Sequence, residues 1–410
     1  MIMLKKTRIA LGVVAGIAVS ASAVAVGYWG GQYYVAQKFQ ATLSNSGYCM
    51  KTSKPTYSMN GGVMAVTSDC SDRYGNEWKV VSLLQLDFEN KGVYSQTKLI
   101  ANSNDTVSAV SQIMNPKTKA LRATAFGVHK LQSDHVEIEL EPFQFVSEQN
   151  SINLPASVVI VDRDHQTKKT DVVFAPSEDV SINTLGGITK IVNPRAMWNI
   201  TNANSYSISV KSESVSVGNV SIANKPSAVI TQKGHDNMLD LDVKFTADSI
   251  TNTNDVNFQL QAKNLVPETS VQLFKNTTDL VQSVDSVSRA EFTTKALENV
   301  FDLAANNATV KLQLTADDYK PVKTLIDASL SFEKDSKDYI NKNNAFSILE
   351  SLIIDATVML PASDAGMMID PIWLQNFLSD GLIENNQGQL NTKIKFRDMT
   401  ANVNGKVIDL

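Results

Sequence analysis

A period-two hydrophobic pattern constrains the fold of this chain more than any other feature. From the Asn45-Ser46-Gly47 segment to about Val284, apolar and polar residues alternate. In the stretch 135–141, three apolar residues alternate with one histidine and three glutamates, and the stretch 256–263 repeats the pattern. Successive side chains of a strand point to opposite faces, so each stretch predicts a strand with one apolar face. Short turn signals such as Lys233-Gly234 join antiparallel neighbours, which predicts a large antiparallel β-sheet or meander.

Two amphipathic helices interrupt the strands near the end of the sequence. Residues 289–305 place apolar side chains at spacings of three and four, the spacing of one helix face. Asp370-Pro371 is typical of an N-cap followed by a first-turn proline, and Gly381 would end that helix. The sequence therefore predicts a mainly β protein of the α+β class with C-terminal capping helices.

An uncharged apolar run at residues 9–28 follows three basic residues. A helix of this length spans about 30 Å, the thickness of the hydrocarbon core of a bilayer. The positive-inside rule keeps the basic tip in the cytoplasm, and the aromatic residues after the run suit the far interface. The residues that carry this prediction are Lys5, Lys6, Arg8, Trp29, Tyr33 and Tyr34. We expect residues 1–38 to form a single-pass anchor in the bacterial inner membrane, with the body in the periplasm.

A cleaved signal peptide is the alternative for this run. Ala23-Val24-Ala25 would suit a small-residue cleavage site. However, the apolar region of a signal peptide usually has about 7–15 residues, and this run is longer. The retained anchor is therefore the favoured interpretation.

Small residues mark one face of the predicted anchor helix. Gly12, Gly16 and Ser20 are spaced by four, a small-xxx-small pattern that lets two membrane helices approach closely. Small residues are also simply common in this run. Homodimerisation through this face is therefore a hypothesis.

The body of the chain is large and mildly acidic. Without the four basic residues that precede residue 39, 33 basic residues remain against 42 acidic ones, so residues 39–410 carry a net charge of about −9. An acidic body without a basic cluster is not typical of nucleic-acid-binding proteins. We expect an antiparallel β-rich domain over residues 39–285 and an α/β portion over residues 286–410, packed on the sheet.

Cys49 and Cys70 are the only cysteines. Both follow the anchor, on the oxidising side of the membrane, where an isolated pair most simply forms one disulfide. This disulfide would close a loop of 22 residues and stabilise the fold by about 3 kcal/mol. A metal or redox pair would need further ligands or closer spacing.

The sequence contains no recognisable catalytic or metal-binding motif. The four histidines, His129, His135, His165 and His235, have polar or charged neighbours and no second ligand at helical spacing. The segment 162–165 (DRDH) lacks the glycine and glutamate of a calcium loop and is interpreted as a solvated loop. Gly-x-Ser-x-Gly and phosphate-binding loops are absent from the sequence, and the carboxylates occur singly. We therefore predict a protein without enzymatic activity, cofactor or metal.

Several segments, in this order, resemble the YdgA-like family of bacterial envelope proteins. They are residues 28–34 (YWGGQYY), 57–64 (YSMNGGVM), 300–303 (VFDL), 352–361 (LIIDATVMLP) and 404–406 (NGK). The resemblance covers both ends of the chain and, in the middle, only the β-alternation. It implies a single-pass inner-membrane anchor and a periplasmic β-rich body, and it carries no catalytic residues.

These observations predict a non-enzymatic, membrane-anchored periplasmic protein that binds or scaffolds a component of the envelope. One alternative is a trough of strands whose apolar lining holds lipid or acyl chains, because half-apolar strands outnumber the helices available to cover them. An ordinary closed core is favoured over this trough, since most alternating strands simply bury their apolar face, and an open apolar groove in the structure would reverse that preference. A further alternative is a homo-oligomeric assembly module. A hydrolase would instead require clustered polar residues in a pocket.

Overall fold

The computed structural model describes most of the chain after residue 50. The described residues are 51–53, 56–60, 63–71, 75–87, 92–109, 111–130, 132–147, 150–202, 204–251, 253–282, 286–317, 323–333, 346–363 and 371–409. The predicted anchor, its small-residue face and Cys49 lie outside these residues. No helix within the described ranges combines the length and the apolar character that a membrane span requires.

Strands dominate the described chain. The first fourteen are β1 (Lys51–Thr52), β2 (Thr56–Asn60), β3 (Val63–Ser71), β4 (Glu77–Asp87), β5 (Gly92–Ala101), β6 (Ala123–Lys130), β7 (Ser133–Leu140), β8 (Phe143–Ser147), β9 (Asn150–Leu154), β10 (Ser157–Asp164), β11 (Thr170–Pro176), β12 (Val180–Thr184), β13 (Gly187–Val192) and β14 (Arg195–Asn202). They are followed by β15 (Ser205–Lys211), β16 (Ser214–Val217), β17 (Val220–Asn224), β18 (Ser227–His235), β19 (Met238–Ile250), β20 (Thr253–Leu265), β21 (Thr309–Asp317), β22 (Lys323–Phe332), β23 (Leu352–Pro361), β24 (Glu384–Asn386), β25 (Gln389–Arg397), β26 (Thr400–Val403) and β27 (Lys406–Asp409).

Five α-helices and one 3₁₀ turn lie between these strands in the described ranges. They are α1 (Asn104–Ala109), the 3₁₀ turn Ser111–Ile113, α2 (Pro267–Gln282), α3 (Ser286–Ala305), α4 (Phe346–Ser351) and α5 (Pro371–Ser379). The predicted helices correspond to α3 and α5, whereas α2 lies in a region that the period-two pattern had assigned to strands. The prediction of a mainly β protein with a few helices is confirmed.

Several strands are joined by two-residue turns. A positive φ of the turn residues makes such a tight connection possible. Asn404 and Gly405 have φ values of 49° and 85° between the paired residues Val403 and Lys406. This is the backbone of a type I′ hairpin turn, whose twist matches that of the two strands. The strands can therefore pair antiparallel without a long connection.

The chain divides into two compact units. Unit 1 contains the described residues up to Asn202 and Val210–Ser221, and unit 2 contains residues 204–209 and those from Ile222 onwards. The predicted border at residues 285 and 286 falls inside unit 2.

Unit 1 consists of two antiparallel ladders. The first has the order β3-β4-β5-β6-β7-β10-β11-β14, and the second has the order β8-β9-β12-β13-β16. One face of the first ladder forms a dense core around Val66, Trp78 and Ile138, each at most 2% exposed. Alternate residues of β5, from Val93 to Ala101, are all buried on that face.

Unit 2 is built on one antiparallel ladder of nine strands. Its order is β18-β19-β20-β21-β22-β23-β25-β26-β27. A small core lies at one end, where Phe301 and Ala304 of α3 pack with Phe332 of β22 and Ile348 of α4.

Candidate functional site

A buried hydrogen-bonded relay of four side chains lies in the first ladder of unit 1. The Ser95 Oγ is 2.9 Å from the His129 Nε2, and the His129 Nδ1 is 3.0 Å from the Asp134 Oδ1. The second carboxylate oxygen, Asp134 Oδ2, is 2.5 Å from the His165 Nε2. Ser95, His129 and Asp134 are 2–3% exposed. We call these four residues the Ser–His–Asp–His relay.

Strand register brings the relay together. The short connection between β6 and β7 sets His129 directly opposite Asp134, and the pairing of β5 with β6 sets Ser95 opposite Gly127. A Cβ atom on Gly127 would come within 2.4 Å of the His129 Nε2 and 2.7 Å of the Ser95 Oγ. Glycine is therefore needed at position 127, because the imidazole occupies the space that a side chain would take.

The partners assign the hydrogen-bonding roles of the neutral His129 ring. A carboxylate only accepts, so the Nδ1–H donates to Asp134, and the Nε2 then accepts from the Ser95 hydroxyl. This is the hydrogen-bond order of a catalytic Ser–His–Asp triad. A nucleophilic serine must reach its substrate, however, and Ser95 lies on the buried face of the sheet. In this conformation the Ser95 hydroxyl is buried among core groups.

The relay reaches the surface at His165. The His165 side chain is 29% exposed, and its backbone N–H donates to the carbonyl of Gln132 at 2.9 Å. The other two histidines also contact aspartates, His135 with Asp162 at 2.6 Å and His235 with Asp240 at 3.1 Å, but the first pair is exposed and the second is only partly buried. Of the four histidine–aspartate pairs, only His129 with Asp134 combines contact with deep burial of both side chains.

A second candidate site is one face of the unit 2 ladder. Cross-strand partners align its apolar residues into continuous rows. The first row is Ile230, Val243, Leu260, Leu312, Ala328, Ala356, Ile394 and Val403. The second row is Phe245, Phe258, Leu314, Ile326 and Val358. We call these two rows the apolar face.

The apolar face remains partly open. None of its residues falls into the buried class, and Ile230 is 36% exposed. The opposite side of the same strands is polar, with the row Asp242, Gln261, Lys311, Ser329, Asp355, Lys395 and Asn402. On the same face, residues beside the two rows are buried, among them Ala247, Val256, Ala262 and Phe396, so the incomplete burial is confined to the two rows.

Helix α3 packs at one border of the apolar face. Its residues Val300 and Phe301 pack in a cluster with Leu330, Phe332 and Leu352. The strand residues of this cluster lie beyond the two rows, towards the C-terminal end of β22. The expected capping of the sheet by helices is seen in this cluster, and the two rows are partly exposed.

The predicted site residues that the structure describes are not gathered into one site. Cys70 is buried in β3 opposite Trp78. It is not a free thiol, but the pairing with Cys49 stays a prediction because Cys49 lies outside the described residues. The anchor residues, from Lys5 to Tyr34, are outside them as well.

The DRDH segment contributes one member of the relay. Its Asp164 makes a tight turn, in which the Oδ1 accepts hydrogen bonds from the backbone N–H groups of Thr167 and Gln166 at 2.7 and 2.8 Å. The bonds from Thr167 and Gln166, with the nearby His165 charge, hold the pKa of Asp164 below its ordinary value. Among the described residues, no cluster of His, Cys, Asp and Glu is arranged to hold a metal ion.

Sequence reasoning did not find the relay. One contact of the relay could have been predicted, because a tight hairpin between β6 and β7 sets His129 opposite Asp134. The contacts of Ser95 and His165 depend on strands that are distant in sequence, and no local pattern marks them. The apolar face, in contrast, follows from the alternation that predicted its strands.

Comparisons of the chain with protein-family models, with curated proteins and with solved structures find no match. The resemblance to the YdgA-like family therefore remains a prediction from the residues quoted above.

Proposed function

We propose that this chain is a membrane-anchored envelope protein of the YdgA-like type, without enzymatic activity, whose unit 2 binds the apolar chains of lipids. The observation that carries the proposal is the apolar face, two aliphatic-rich rows of which no residue is buried. An apolar face that stays partly exposed is a candidate binding site, because large exposed apolar patches mark interaction sites in soluble proteins. The lipid interpretation is thus favoured over the closed core considered from the sequence.

The dimensions of the apolar face suit an acyl chain. From β19 to β26 the first row crosses seven strands, and six spacings of about 4.8 Å give about 29 Å. The hydrocarbon core of a whole bilayer is about 30 Å thick, so one leaflet contributes about 15 Å. An acyl chain can therefore lie along a row over its full length.

The chemistry of the two rows favours a lipid over a protein partner. Protein interfaces are enriched in Trp, Tyr and Arg as binding hot spots, and the rows contain none of these residues. Their aliphatic side chains and two phenylalanines offer no hydrogen bond. An acyl chain needs none, whereas a protein segment would bring polar backbone groups that such a surface cannot satisfy.

Site-specific photocrosslinking tests the proposal. Benzoylphenylalanine replaces Leu260 on the apolar face or, as a matched control, the neighbouring Gln261 on the polar face. The full-length protein is purified from bacterial membranes and irradiated, and its peptides are weighed by mass spectrometry. We expect adducts with the mass of a phospholipid or fatty acid at position 260 and none at position 261.

Two results would contradict the proposal. Crosslinks from position 260 only to other segments of the chain would show that the face is covered internally. A protein adduct at position 260 would favour the binding of an envelope protein instead.

A homo-oligomeric assembly is a second candidate, favoured by the last strand. β27 pairs with β26 on one side, and its Val407 and Ile408 are 63% and 38% exposed. An exposed apolar edge strand can extend a sheet into a second copy. If this edge joins two copies, Val407→Lys should convert a dimer to a monomer in light-scattering measurements.

A further inference from the structure

Two hairpin turns at one end of the second ladder of unit 1 expose aliphatic side chains. The β12–β13 turn presents Leu185 and Ile188, which are 81% and 56% exposed, and the β16–β17 turn presents Val217 and Val220, which are 36% and 61% exposed. We call these four residues the aliphatic tip. Thr189 pairs with Val217, and the Gly218 N–H donates to the Ile188 carbonyl at 2.8 Å, so the two turns lie side by side.

The turns of the aliphatic tip satisfy several of their own polar groups. The Thr184 hydroxyl donates to the Gly187 carbonyl at 3.1 Å and accepts from the Gly186 N–H at 3.2 Å. With the bond between Gly218 and Ile188, these contacts hold the apices in one conformation. Satisfied polar groups also lower the cost of transfer into an apolar medium.

The tip is also uncharged. Residues 180–189 and 214–221 contain no Asp, Glu, Lys or Arg. The first charged residue after the turn in β13, Lys190, is paired with the Asp179 Oδ2 at 2.7 Å. The side chains that protrude furthest therefore bring no net charge to whatever they contact.

We propose that the aliphatic tip inserts into the surface of a lipid bilayer. A protein partner would need a broader surface, since specific interfaces bury about 800 Å² on each side, and hot-spot residues such as Trp, Tyr or Arg. The tip has none of these residues, and its few protruding side chains suit shallow insertion among lipid chains. The proposal goes beyond the apolar face because it stands on different residues in the other unit, so the two can fail separately.

An environment-sensitive probe on the tip tests this inference. Leu185→Cys is labelled with a nitrobenzoxadiazole fluorophore in the full-length chain, reconstituted into phosphatidylcholine vesicles. Gln166→Cys, on the exposed turn between β10 and β11 of the same unit, is the matched control. The chain without an added cysteine should take up no label under non-reducing conditions, as the predicted disulfide requires.

We expect the probe at position 185 to show blue-shifted emission and several-fold stronger quenching by nitroxide-labelled phosphatidylcholine than the probe at position 166. Adding Val220→Asp to Leu185→Cys should move the probe towards water, because a charge at the tip opposes insertion. Equal quenching of both probes by aqueous iodide would overturn the inference. Protection of position 185 from both iodide and lipid quencher would also overturn it, since that result indicates a protein contact.

Discussion

At the scale of single residues, Asp134 is a deeply buried polar group of unit 1 that contacts two histidines. A carboxylate whose side chain is 2% exposed is costly to bury unless hydrogen bonds replace its hydration. The two imidazoles that contact it supply those bonds, one to each oxygen. Removing one of them leaves a buried acceptor without its partner, which costs more than the bond itself contributes.

His129→Ala should therefore destabilise unit 1 by about 2–4 kcal/mol, because it deletes two hydrogen bonds and leaves a cavity. Urea unfolding followed by circular dichroism measures the loss. His135→Ala is the control. The side chains of His135 and Asp162 are both exposed, and an exposed pair contributes about 0.5 kcal/mol or less. Equal losses in the two variants would argue against the relay.

Gly127→Ala should destabilise the protein by about 1–3 kcal/mol through overpacking. The added Cβ would lie 2.4 Å from the His129 Nε2. The loss should be clearly smaller in a His129→Ala background, where the imidazole no longer occupies the space, and a double-mutant cycle measures this coupling. Additive losses would mean that the glycine is required for another reason.

Asp240 makes the stability of unit 2 depend on pH in the acid range. Partial burial acts to raise the pKa of this carboxyl, but hydrogen bonds from His235 and from the Asn264 N–H, with the charges of His235 and Lys263, outweigh burial and lower the pKa below 3.8. A lowered folded-state pKa contributes stability above the unfolded-state pKa, and this stability is lost as the pH falls through the folded value.

The advantage of the wild-type chain over Asp240→Asn should therefore be largest near neutral pH. It should shrink as the pH falls below about 4, the unfolded value. Urea midpoints of both chains, measured across this range, test the sign. Asp398→Asn, on an exposed turn, is the control. A difference for Asp240→Asn that grows towards acid pH would mean that folding raises the pKa of Asp240 and does not lower it.

At the scale of elements, alternation predicted strands well and turns less well. Lys233-Gly234 was predicted as a turn, yet both residues lie inside β18, and the turn is formed by Asp236 and Asn237 with φ values of 43° and 64°. Glycine in a strand can instead mark close backbone approach. A Cβ on Gly234 would lie 2.6 Å from the Cβ of Asn204, so packing against a neighbour accounts for this glycine.

Helix α2 was not predicted, because the alternating pattern of the preceding strands was expected to continue to about Val284. Its start carried a usable signal, since Pro267 occupies the first helical position and Glu268 follows it in the first turn. Both residues favour a helix N-terminus. The local signal was therefore present, and the longer-range pattern concealed it.

The turn between β25 and β26 offers a stabilising substitution. Met399 has a φ of 57°, a left-handed conformation that costs an L-residue about 1 kcal/mol and that glycine adopts freely. Glycine also makes the unfolded chain more flexible, which offsets part of this gain, so Met399→Gly should raise the stability of unit 2 by about 0.5 kcal/mol, read as a higher urea midpoint. Gly405→Ala, at a φ of 85° in the next turn, is the opposite control and should lower the midpoint.

At the scale of the whole molecule, the two units show what alternation leaves undetermined. The pattern in β5 and the pattern in β20 both predict one apolar face, but β5 buries its face completely and β20 only in part. Whether a face is covered depends on elements that are distant in sequence. The strands could be predicted from the sequence, whereas the openness of the apolar face and the closure of the relay required the three-dimensional arrangement.

The charge of the chain bears on which lipids the apolar face should hold. Residues 39–410 carry about −9, and the two rows contain no basic side chain, so anionic headgroups gain nothing by binding there. Binding driven by apolar contact is also insensitive to salt, which screens only charge interactions.

The lipid adduct at position 260 should then form equally in vesicles of phosphatidylcholine and in vesicles that also contain phosphatidylglycerol. Its yield should change little between about 0.05 and about 0.5 M salt, a range over which the Debye length falls about threefold. A yield that rises several-fold with anionic lipid at low salt would instead indicate that a charged headgroup site contributes to binding, and would contradict binding by apolar contact alone.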